Sequence, residues 1–204
     1  MHKSKKTRSP IVFLLLFNFS LYPRPIDINL ERKVLQNFED EYKIEKIISK
    51  GNLEVFPEVS VSGLLTSPEL LSEKSLLIRY TEESRFQPME YIFNNPIPLQ
   101  DFVTRLEFHV YSSSNAGEIY FFIQDSFQDT HKILLTRINF SGWKKIDVSL
   151  LKINQNDLLF NENRKIKFLG FLFIPPLKSE SGREFLIAID DIVSYSLPKY
   201  KSIP

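Results

Sequence analysis

Between Ser75 and Tyr195 the chain is a succession of short β-runs broken by turn residues, and this rhythm restricts it to an antiparallel sandwich or barrel. The runs are Ser75–Thr81, Met89–Phe93, Thr104–Tyr111, Glu118–Asp125, His131–Asn139, Trp143–Ser149, Ile166–Ile174 and Glu184–Tyr195. Little helical periodicity separates them. Thr104–Tyr111 alternates cleanly, with Leu106, Phe108 and Val110 on one face and Arg105, Glu107, His109 and Tyr111 on the other, as a half-buried strand should.

Three runs do not alternate. Ile119–Ile123, Phe168–Ile174 and Phe185–Ile189 are apolar on both faces. An antiparallel sheet in water normally keeps one face polar, so a second layer is expected over these strands. It comes either from the loop-heavy segment Gly51–Ser72, with Pro57, Gly63 and Pro68, or from another protein. Upstream, Glu31–Phe38 reads as a helical turn or a first strand and Tyr42–Ile48 as a strand. At 204 residues the chain suits one domain, taken as 23–204, and shows no internal repeat or linker.

Residues 1–22 read as a secretory signal peptide. Lys3, Lys5, Lys6 and Arg8 form the basic region, and Ile11–Phe17 an apolar run too short to span a bilayer. An uncleaved anchor is the alternative. Without residues 1–22 the balance becomes 22 basic against 25 acidic residues, net −3, which argues against nucleic-acid binding. No cysteine is present, which removes disulfides, thiolate metal sites and cysteine nucleophiles. The core must therefore be apolar, and 18 Phe supply it.

Little in the sequence suggests catalysis, and no catalytic, cofactor-binding or metal residue is assigned. His2, His109 and His131 are scattered, with no metal-type spacing. Ser60-Val61-Ser62-Gly63 lacks the first glycine of a nucleophile elbow. Two acidic places have alternative readings: Glu39-Asp40-Glu41 and Asp190-Asp191. They cap backbone amides or lie exposed at strand ends; or Glu39 and Asp190 meet and hold Ca²⁺ through oxygen ligands; or they form a hydrolytic pair. The only tryptophan, Trp143, reads as a core anchor at the sandwich end together with Phe140, or as a sugar-stacking platform joined by Tyr111, Tyr120 and Phe122. Phe171 and Phe173 are expected to face a covering loop or a partner.

The segments Gln124-Asp125, His131–Leu135 and Ile138–Lys145, the last containing Phe140-Ser141-Gly142-Trp143-Lys144, resemble the flagellar filament outer-layer (sheath) proteins of spirochaetes. Phe171–Ile174 with Pro175-Pro176 and the closing Ile189-Asp190-Asp191-Ile192 add to the likeness, the latter also resembling carbohydrate-binding-module jelly rolls. Ser126–Thr130 stands where that family has a glycine-containing turn, and the N-terminal third departs from its pattern. The resemblance implies a non-enzymatic jelly-roll subunit of the periplasmic flagellum, affecting filament shape and motility. Its partners would be other sheath and core proteins in a homo- or hetero-polymer. The alternative is a carbohydrate-binding module-like protein of the periplasm or cell surface.

Overall fold

The computed structural model describes residues 30–39, 47–49, 57–68, 72–81, 87–115, 117–155, 165–175 and 184–198. Residues 1–22, with Asp40 and Glu41, lie outside this set. The strands are β1 (Glu31–Gln36), β2 (Ile47–Ser49), β3 (Glu58–Ser62), β4 (Ser75–Tyr80), β5 (Met89–Pro98), β6 (Phe102–Ser112), β7 (Glu118–Gln124), β8 (Thr130–Arg137), β9 (Gly142–Ser149), β10 (Lys167–Ile174) and β11 (Phe185–Leu197). All pairings are antiparallel. One sheet runs β3-β4-β11-β6-β9, with β1 also on β11; the other runs β2-β5-β10-β7-β8. The expected antiparallel jelly-roll sandwich is therefore present.

Period-two alternation decides which side chains meet between the sheets. Leu106, Phe108 and Val110 of β6 and Ile119, Phe121 and Ile123 of β7 point inward and are fully buried. Phe108 contacts Phe121, Phe168 and Phe171 at ring-centroid distances of 5.3, 6.1 and 6.1 Å, so one aromatic cluster joins the layers. Here the expectation for β10 is corrected. Phe171 and Phe173 face neither a covering loop nor a partner; both are core residues with no exposed surface.

The run Phe168–Ile174 fails to alternate because of a β-bulge. Register with both β5 and β7 skips between Phe168 and Gly170, which returns Phe168 and Phe171 to the same face. Gly170 carries φ +151°, and a Cβ there would stand 2.0 Å from the Tyr91 carbonyl oxygen. Only glycine permits that approach.

Glu31–Gln36 resolves as a strand rather than a helical turn. The described part of Gly51–Ser72 is not a mere covering loop: Glu58–Ser62 is an edge strand on β4, and Ser67 bonds to β11.

Candidate functional site

With the odd positions of β7 in the core, Tyr120 and Phe122 stand side by side on the outer face of the five-stranded sheet, both half-buried. Cross-strand register places Leu134 and Lys132 of β8 beside them on one side, and Leu172 and Gly170 of β10 on the other. Glu90 and Ile92 of β5 continue the same two rows. Gly170, Leu172 and Glu90 in these rows are buried, so the accessible part of the face is the Tyr120–Phe122 pair with its β8 neighbours.

Polar groups rim this aromatic pair. Tyr120 Oη donates to Glu118 Oε2 at 2.6 Å, and Arg137 Nε donates to Glu118 Oε1 at 3.2 Å. Lys132 Nζ lies 4.8 Å from the Tyr120 ring centroid. The Glu118 hydrogen bond, with burial and the carboxylate charge adding to it, holds the Tyr120 phenol above its usual range.

The four expected platform aromatics do not form one surface. Tyr111 and Trp143 are register partners on the outer face of the other sheet, with centroids 5.7 Å apart. Trp143 is also not the core anchor expected. Its strand sends Ile146 and Val148 inward, which leaves Trp143 outside the buried cluster, whereas Phe140 does pack against that cluster.

Of the first acidic place only Glu39 is described, and its charge acts on Asp191. β11 pairs with β4 over Phe185–Ile189 and with β1 over Ile192–Ser196, so Asp190 and Asp191 sit in the notch between those neighbours. Register with β6 also jumps there, from Asp190↔His109 to Val193↔Glu107, and Asp191 adopts φ 48°. Asp190 Oδ2 accepts the Ser67 N–H and Oδ1 the Asp191 N–H, each at 2.9 Å. Glu39 Oε1 accepts the Ser72 hydroxyl and the Glu73 and Lys74 N–H groups at 2.8, 2.6 and 3.1 Å.

Burial pushes the Asp190 carboxyl up to about 6, with the charge of Asp191 adding and the Ser67 bond opposing. Asp191 is raised by burial as well, against the attraction of His109, whose Nδ1 lies 3.8 Å from Asp191 Oδ2. Glu39 goes the other way. Desolvation is outweighed by its three hydrogen bonds, and it titrates below its usual range. The carboxylates thus cap backbone amides of the chain segments that fill the notch. Among the described residues no three His, Asp or Glu side chains are placed to hold a metal ion; Asp40 and Glu41 lie outside them.

Asp125, noted in sequence only for its family resemblance, is also an amide cap. Asp125, buried at the β7–β8 turn, accepts the Phe127 and Asp129 N–H groups through Oδ1 and meets His131 Nε2 at 2.8 Å through Oδ2. An Asp opening a five-residue turn before a strand was the available signal.

Together these features define a β-sandwich with an aromatic, polar-rimmed outer face. No family model matches the chain, and no curated protein matches it. Among solved structures it is similar to a family 11 carbohydrate-binding module from Clostridium thermocellum in complex with a β-1,3-1,4-mixed-linked tetrasaccharide. That likeness has TM-score 0.50 and 13% identity, covering 83% of this chain and 98% of the other. It is also similar to a family 30 carbohydrate-binding module, with TM-score 0.51 and 12% identity, covering 87% and 93%. At such identity the likeness is one of fold.

Proposed function

We propose that this chain is a non-enzymatic, carbohydrate-binding module-like protein that takes glycan on the outer face of its five-stranded sheet. The observation that carries the reading is the Tyr120–Phe122 pair, half-buried on the outer face of the sheet beside the exposed Lys132 and Leu134 of β8. A pyranose ring presents C–H bonds to an aromatic face and hydroxyls at its rim. Glu118, Lys132 and Arg137 are the groups positioned to meet those hydroxyls. The basic and apolar pattern of residues 1–22 supports export to the periplasm or cell surface, where such glycans occur.

The sheath-subunit reading takes second place. It rests on the resemblance of the Gln124–Lys145 segments, and of the apolar strand faces that agreed with it Phe171 and Phe173 belong to the core.

A glycan array probed with the protein and with the Tyr120→Ala/Phe122→Ala variant tests the proposal. Truncating an aromatic anchor costs about 1–3 kcal/mol, so the variant should bind roughly 10- to 100-fold more weakly while keeping its fold. Equal binding by both proteins would move the site elsewhere. No binding on the array, together with co-purification with flagellar filaments through a salt wash, would restore the sheath reading.

A further inference from the structure

We infer that the module carries a second, independent saccharide surface on its opposite face, built on Trp143 and Tyr111, and so can hold two glycan chains at once. The inference rests on the glycan-binding reading but on different residues. Trp143 and Tyr111 are half-buried, outside the core cluster, and packed ring against ring at 5.7 Å. Register continues their row through Ala188 to Leu77, both buried, so the accessible part of the row is the Trp143–Tyr111 pair at the β9 edge.

The approach to this surface is open. β9 pairs only with β6 among the described strands, which leaves Trp143 at the margin of its sheet. Gly142, which leads into it, has nothing within 4 Å of where a side chain would begin. The charge pattern selects the ligand class. Lys145 lies 3.5 Å from Glu107, Arg105 lies 3.2 Å from Asp147, and the Arg105 guanidinium stacks 3.9 Å above the Tyr195 ring. These neighbouring charges neutralise one another, so the surface suits an uncharged ligand with apolar faces and hydroxyl edges. A neutral hexose oligomer fits that description. The two aromatic surfaces lie on outer faces of different sheets, separated by the full thickness of the sandwich, so one short glycan cannot occupy both.

Trp143 is the sole tryptophan, and its emission therefore reports this surface alone. Soluble hexasaccharides of β-glucan, β-mannan and β-galactan are titrated into the full chain, with fluorescence and calorimetry recorded in parallel. The expected result is two sites per chain, with a change in Trp143 emission that survives in the Tyr120→Ala/Phe122→Ala variant. Trp143→Ala and Tyr111→Ala should each reduce the stoichiometry from two to one with the circular dichroism spectrum unchanged. One site per chain with unmoved Trp143 emission overturns this inference and leaves the first glycan surface standing. Silence of heat and emission with all three sugars overturns both.

Discussion

Ser67 donates its backbone N–H to Asp190 Oδ2 at 2.9 Å, joining positions 123 residues apart at the one stretch of β11 that has no strand on that edge. The bond is buried, and Asp190 has no exposed surface. Replacing Asp190 by Ala leaves the Ser67 and Asp191 amides without their acceptor. The cost of orphaned buried donors is about 1–3 kcal/mol, read by urea denaturation. Amide exchange at Ser67 should accelerate with it. Asp190→Asn keeps an acceptor oxygen and should lose less; an equal loss in both variants would show that charge rather than hydrogen bonding matters at the notch.

The notch also sets an unusual pH dependence. Asp190 and Asp191 both have folded-state pKa values above their unfolded ones, Asp190 at about 6. Each binds its proton more tightly when folded, so the ionised forms cost stability at neutral pH, and that cost lifts as pH falls through 6. Glu39 and Asp125 are depressed and contribute in the opposite sense: their stabilisation is present above their ordinary values of 4.5 and 3.8 and is lost on further acidification. The unfolding free energy should therefore rise by about 1–3 kcal/mol from pH 7.5 to 5 and fall again below about 4. Denaturant titrations at half-unit intervals check this. Asp190→Asn should flatten the rise, and a wild-type curve that declines steadily from pH 7.5 to 5 would refute it.

Much of this architecture is legible from side-chain period alone, and the failures have local causes. All eight runs from Ser75 onward are strands: each is a short β-branched or aromatic stretch, alternating or continuously apolar, bounded by turn residues. Glu58–Ser62 escapes notice because an edge strand half in water, between Pro57 and Gly63, looks like the loop around it. Asp190-Asp191 attracts attention in sequence as charge within an apolar run. Amide capping is one of the roles open to it in sequence, and the structure selects that role through the bulge whose place depends on where β1, β4 and β6 pair. The faces of Tyr120 and Phe122 stay open for a similar reason: in Ile119–Ile123 every residue is apolar or aromatic, and only the neighbouring sheet decides which face is inside.

Gly170 offers a sharp test of that packing. Adding a Cβ at φ +151°, 2.0 Å from a carbonyl oxygen and 2.9 Å from the Ile92 Cα, cannot be absorbed by a side-chain rotation. The backbones of β5 and β10 would have to part. Gly170→Ala should cost more than about 3 kcal/mol and abolish the bulge that seats Phe168 and Phe171 together. A soluble variant with an unchanged melting temperature would mean that this stretch of β10 pairs differently.

Phe171 separates core from interface. Its ring lies 5.2 Å from Phe168, 5.8 Å from Phe173, 6.1 Å from Phe108 and 6.4 Å from Phe93, centroid to centroid, so both sheets contribute to its cage. Phe171→Ala removes buried rings from contact and leaves a cavity, at about 3–5 kcal/mol. Phe171→Leu, which refills most of the volume, should cost much less. Phe122→Ala, on the outer face of the same sheet, should change stability by under about 1 kcal/mol while weakening glycan binding. Chemical denaturation of the three variants, set beside their glycan affinities, distinguishes the roles. If Phe171→Ala were nearly neutral and Phe122→Ala strongly destabilising, the inside and outside of the five-stranded sheet would have to be exchanged.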